Sequence, residues 1–139
     1  MVPLPFLPVR AAAPMLALAA GLLLPVGSGA ATPAELLGAY VAQSGTPAQA
    51  ARGMAFFRQK HGQDWACASC HGDTPTAPGR HAATAKTIAP LAPAFNTERF
   101  TDAAKSEKWF RRNCKDVLAR DCSAGEKADV LAWLMTLQP

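Results

Sequence analysis

The sequence predicts an all-α domain, and three observations predict it. Helix start signals recur along the chain: Thr32-Pro33-Ala34-Glu35, Thr46-Pro47-Ala48-Gln49 and Ser123-Ala124-Gly125-Glu126 each place a hydroxyl residue three positions before Glu or Gln. In that spacing side chain and backbone satisfy each other's orphan donors. After each signal the apolar residues return every three or four positions, and nowhere does the strict alternation of a half-buried strand occur. The third observation is Gly72 to Phe95, a stretch poor in core-forming residues and broken by Pro75, Pro78, Pro90 and Pro93. A loop of this length has to wrap around something other than itself.

Taken in order, the first helix opens at Thr32 with proline at its first position, runs to about Gln43 and stops at Ser44-Gly45. Leu36, Leu37, Tyr40 and Val41 supply its apolar residues. The second is expected from Thr46 to about Lys60. On it Gly53 and Phe57 lie four apart on one face, with Ala50 and Met54 beside them, and a glycine on a buried face lets another helix approach closely. Thr101 or Asp102 caps a further helix through about Asn113, with Trp109 and Phe110 apolar among Lys105, Lys108, Arg111 and Arg112. Those four cations read first as a solvated helix face and second as a docking patch. The last helix, from Ser123 to about Leu137, sets Val130, Trp133, Leu134 and Leu137 on one side.

The first 31 residues are expected to be removed. Arg10 provides a positive start, Ala11 to Val26 an apolar run, and Gly27-Ser28-Gly29-Ala30-Ala31 the small residues of a cleavage site. The apolar run is too short for the ~20 residues of a membrane span and carries Pro14 and Pro25. The domain therefore covers 32–139, exported to a periplasmic compartment where disulfides persist, and it does not span the membrane after processing. Without Arg10 the chain keeps 13 Lys and Arg against 10 Asp and Glu. That balance is too mild to argue for nucleic acid.

Cys67-Ala68-Ser69-Cys70-His71 is the run on which the chemistry rests. Two thiols and an imidazole within one helical turn form the attachment signature of haem c: thioethers from Cys67 and Cys70 fix one edge of the macrocycle, and His71 falls under the iron as its fifth ligand. A redox-active dithiol would sit in a βαβ pattern, and a zinc site wants two further ligands at short spacing; neither pattern is visible.

A helix carrying Gly53 and Phe57, the C-x-x-C-H run directly after it, a proline-rich loop and a closing amphipathic helix with Trp133 together resemble the class I cytochrome c family over roughly Thr46 to Leu137. The resemblance implies that the first and last helices of that fold cross at Gly53. It also implies that the carbonyl of Pro90, in Ile88-Ala89-Pro90-Leu91, accepts from the His71 ring and sets its tautomer. In that family the sixth ligand is usually a methionine well downstream of the haem motif, and this chain has none in the loop. Met54 and Met135 read as core. His61 lies on the attachment side, and His81 reads as an exposed loop residue.

A narrower likeness rests on Arg112-Asn113-Cys114-Lys115-Asp116-Val117, Arg120-Asp121-Cys122-Ser123, Glu126 to Leu134, Ile88 to Pro93 and Arg99-Phe100-Thr101-Asp102. In these the chain is similar to the sphaeroides haem protein family, class I cytochromes c that use asparagine in place of methionine and bind small gases when reduced. By that resemblance Asn113 is the sixth ligand and Cys114 pairs with Cys122. Read alone, Asn113 is also an ordinary helix C-cap. An amide oxygen is a hard ligand suited to ferric iron, whereas a thioether is soft and raises the potential. Asparagine ligation should therefore lower the potential and loosen on reduction. The expected function is a monohaem carrier that accepts electrons from a redox partner, such as a multihaem or membrane-bound cytochrome, and opens its sixth position to oxygen or nitric oxide. A simple electron-transfer cytochrome is the alternative.

Overall fold

The computed structural model describes Met1 and residues 31–139, so the expected export segment lies outside the described residues apart from its two ends. Five helices and one minimal hairpin follow in the order α1 (Pro33–Ser44), α2 (Ala50–Arg58), α3 (Cys67–His71), β1 (Gly79–Arg80), β2 (Thr87–Ile88), α4 (Ala103–Leu118) and α5 (Ala124–Thr136). Among the described residues no helix is long and apolar enough to cross a membrane.

Helices α1 and α5 start where the local signals place them. The Thr32 hydroxyl accepts from Glu35 N while Glu35 returns to Thr32 N at 2.7 Å, and Ser123 and Glu126 make the same reciprocal pair. Gly45, at φ 67°, ends α1 in the left-handed region that suits a residue without Cβ.

Helix α2 departs from expectation. It starts at Ala50, its N-cap is Gln49, and no side chain of its own turn caps it. The cap comes instead from the far end of the chain: buried Asp129 accepts from Gln49 N at 2.7 Å and pairs with the Arg52 guanidinium. A carboxylate at a helix N-terminus offsets both the orphan amides and the positive end of the helix dipole.

The core lies where α2 crosses α5 and α1 packs alongside α5. At Gly53 an added Cβ would run into the backbone of Asp129 and Val130, so the crossing exists only because residue 53 has none. Around it Phe57, Val130, Trp133 and Leu134 form one buried cluster, and Leu36, Tyr40, Ala128 and Leu131 form another. Each large side chain among them contributes roughly 1.5–3 kcal/mol by leaving water. The Phe57 and Trp133 rings stand 5.0 Å apart.

Two further departures concern the second half. The proline-rich stretch is not entirely loop, since Gly79 pairs with Ile88 and Arg80 with Thr87 in a two-residue antiparallel ladder. Helix α4 does not stop at Asn113; it continues to Leu118 and ends at Ala119, φ 57°. Cys114 and Val117 are buried on that extra length, which explains why the helix continues.

Candidate functional site

A cavity of about 330 Å³ opens between α3, the proline-rich segment, α4 and α5. Helix α3 brings Cys67, Cys70 and His71 to it, and α4 brings Asn113. Apolar side chains of these elements and of the segments between them complete the wall, among them Leu91, Phe100, Val117, Val130 and Leu134. A chamber whose accessible wall is mostly apolar, with polar groups at particular places, suits a flat hydrophobic cofactor.

Helix α3 is a single turn closed at both ends. Ser69 Oγ accepts from Ala66 N at 3.0 Å, and Gly72 N returns to the Ala68 carbonyl at 2.8 Å. The hairpin lies against it: Gly79 has no room for a Cβ because the Cys70 carbonyl occupies that space. Ala82 N donates to Cys70 Sγ at 3.3 Å. On the other side the His71 ring lies 6.1 Å from Phe57, which carries the packing of α2 directly to the imidazole.

Burial, then the nearby Arg99 and His81, push the His71 imidazole down to about 4. The ring is therefore neutral at ordinary pH with a lone pair free for a metal. Burial also pushes the Cys67 thiol up to about 11. Redox-active dithiols lower the pKa of their attacking thiol, so a thioredoxin-like role does not fit. Nor does a zinc site: among the described residues no three His, Cys, Asp or Glu side chains converge. Two unpaired thiols, a neutral imidazole and an apolar chamber do fit haem c.

The expected hydrogen bond from His71 to Pro90 is corrected. The Pro90 carbonyl accepts from Arg99 Nε at 2.9 Å and from Asn96 Nδ2 at 3.2 Å, and Arg99 Nη2 binds the neighbouring Ala89 carbonyl at 2.9 Å. A carbonyl oxygen has two lone pairs, and here a guanidinium and an amide take both. Pro90 thus positions Arg99, a cavity-lining residue that the sequence alone did not single out.

Asn113 stands in the interior of α4, five residues before its last residue, so it does not act as the helix C-cap. Met54 and Met135 pack into the two core clusters and do not line the cavity. His61 turns to the Phe56 carbonyl at 2.8 Å. His81 does line the cavity, against the expectation of a bland surface residue, and its Nδ1 accepts from Thr84 N at 3.3 Å. Beside Asn113, the sulfurs of Cys114 and Cys122 stand at disulfide distance, with their Cα atoms 5.6 Å apart. Trp65 and Trp109 also reach the cavity. Trp109 was traceable in the sequence, since it precedes Asn113 by four residues and so shares its helix face.

This fold and this site define a class I c-type cytochrome with one covalently attached haem c. The chain is 48% identical over 123 residues to the cytochrome c-type protein SHP of Cereibacter sphaeroides, covering 86% of this chain and 95% of that one. It therefore belongs to the sphaeroides haem protein family, and residues 43–134 also match a family described as a domain of unknown function, DUF1924. Cytochrome c'' of Methylophilus methylotrophus is 48% identical over 80 residues, 58% of this chain and 56% of that protein. Among solved structures, oxidised SHP, described as an oxygen-binding cytochrome c, superposes with a TM-score of 0.72 at 48% identity, over 78% of this chain and all of that one. Oxidised cytochrome c'' superposes at 0.67 and 38% identity, over 77% and 95%.

Proposed function

We propose that this protein is a periplasmic cytochrome that accepts electrons and, once reduced, opens the position held by Asn113 to a diatomic ligand. The single observation that carries the reading is the placement of Asn113 in the cavity wall while both methionines of the described domain sit in the core. Support also comes from the relatives: SHP is described as binding oxygen, and the solution structure of cytochrome c'' addresses haem-ligand detachment.

When bound, the haem supplies a one-electron couple and a metal that prefers hard ligands when ferric. Each protein group then has a defined task. Cys67 and Cys70 hold the macrocycle by thioethers, and neutral His71, backed by Phe57, gives the permanent ligand. Asn113 would offer its amide oxygen, a hard, weak donor better matched to ferric than to ferrous iron. Cys114 and Cys122 bonded together keep the end of α4 in register, a pairing that an oxidising compartment sustains. The exposed Lys105, Lys108, Arg111 and Arg112 on α4 form the face offered to an acidic redox partner, such as a multihaem or membrane-bound cytochrome. Export follows from residues 1–31, which match a cleaved secretory signal.

Optical spectra of the purified protein test this. The ferric form should be six-coordinate without the near-infrared absorption of a methionine-ligated iron. The ferrous form should be high-spin and bind carbon monoxide rapidly, and Asn113→Met should raise the potential and slow that binding. A low-spin ferrous wild type that ignores carbon monoxide would replace this reading with a simple electron carrier.

A further inference from the structure

Helix α4 turns Ser106, Phe110, Asn113 and Val117 toward the cavity, at the spacing of one helical face. Trp109 lies at the edge of that face, one turn before Asn113. It is the aromatic of α4 that both lines the cavity and stays exposed, at 43%. Trp109 thus borders both the chamber and solvent. The Arg112 guanidinium stands 5.7 Å from the ring centroid, an interaction that favours this rotamer without locking it. Phe110, next in sequence, is instead anchored between Tyr40 at 5.9 Å and Phe100 at 6.2 Å. The neighbouring aromatic is thus fixed in the wall, and Trp109 is free to swing on the timescale of an exposed side chain.

We propose that Trp109 is the gate through which a diatomic ligand reaches the position that Asn113 vacates, with Arg112 as its latch. The proposal rests on the gas-binding reading above and goes beyond it by assigning the path. A gate of this kind acts by size. It slows entry in proportion to how far the ring has to move, and so it discriminates among ligands of equal intrinsic reactivity.

Flash photolysis of the ferrous protein, with carbon monoxide and then with the bulkier ethyl isocyanide, tests the assignment. Trp109→Ala should speed rebinding of carbon monoxide from solution by about tenfold, roughly 1.4 kcal/mol of barrier, and that of the isocyanide by a larger factor. Trp109→Phe should fall between wild type and alanine, and it carries the test if the alanine variant does not fold. Arg112→Gln, which removes the latch and keeps the indole, should raise both rates by a smaller factor. Hydrogen exchange of the α4 amides reports whether the helix survives each change. Unchanged rates in Trp109→Ala, or one common factor for both ligands, would overturn the gate while leaving gas binding intact. A wild-type ferrous protein that binds neither ligand would overturn both.

Discussion

Where α2 meets α5, the backbones cross so closely at Gly53 that no side-chain carbon fits. Helix α4 makes no comparable backbone approach, and side chains tie it to the rest: Phe110 against Tyr40, Lys127 to Glu107 at 2.7 Å, and Cys114 beside Cys122. Both regions wall the same cavity. The first backs the group proposed to stay on the iron in both states, since Phe57 lies against His71. The second carries the group proposed to leave each time the protein is reduced. Dense backbone packing suits permanence, and a helix tethered at discrete points can shift one side chain without unfolding its neighbours.

The largest effect should come from breaking the dense side. Gly53→Val puts branched atoms into the Asp129 backbone, and we expect a loss of at least about 3 kcal/mol, or no folded holoprotein, by chemical denaturation. A variant of near wild-type stability would show that the crossing yields easily. On the tethered side, Cys114→Ser with Cys122→Ser opens a link of sequence separation 8, worth about 2.5 kcal/mol on the chain-entropy estimate. Amide exchange should then rise in α4 well before it rises in α2, and uniform acceleration would contradict the comparison.

Smaller still is Lys127→Met. It removes the ion pair to Glu107 and the ammonium 5.4 Å from the Tyr40 ring centroid, at an expected cost of about 1 kcal/mol in thermal unfolding. The smallest change is a matter of pH. The hydrogen bond from Arg120 holds the Glu126 carboxyl below its usual range, although burial works against it. A lowered folded pKa means that the stabilisation is complete above the unfolded value of about 4.3 and is lost as pH falls through the lower folded one. Glu126→Gln should therefore flatten the acid limb of the stability curve by under about 1 kcal/mol, and an unchanged limb would remove Glu126 from the account.

What could be read from the sequence follows the range of the interactions. Thr32 with Glu35 and Ser123 with Glu126 are separated by three residues, and both helices begin where those signals say. Gly53, Phe57 and Trp133 were legible because helical spacing combined with family likeness fixes their partners. The start of α2 was not, because its cap is Asp129, 80 residues away from Gln49. Asn113 looked like a possible helix end only because the buried Cys114 and Val117 that prolong α4 announce themselves in three dimensions. Pro90 was misassigned for a similar reason: nothing local says that Arg99 folds back onto its carbonyl. That Cys67, Cys70 and His71 act together was readable from their spacing alone, and the structure brings all three to the cavity wall.

The long separation between α2 and its partner also sets an order of events during synthesis. Arg52 waits 77 residues for Asp129, so the seam that organises the domain cannot close until α5 is available to dock. Until then Cys67 and Cys70 sit on an open chain with their thiols in water, although Cys67 ends up largely enclosed. On the proposed function, the interval before α5 docks on α2 is the window for attaching the cofactor. A chain ended after Leu118 should remain open to that chemistry while failing to acquire the helical content of the finished domain, which circular dichroism would report. Placing half of this core in α5, long after the haem motif, leaves the segment between them without its packing partner until α5 joins.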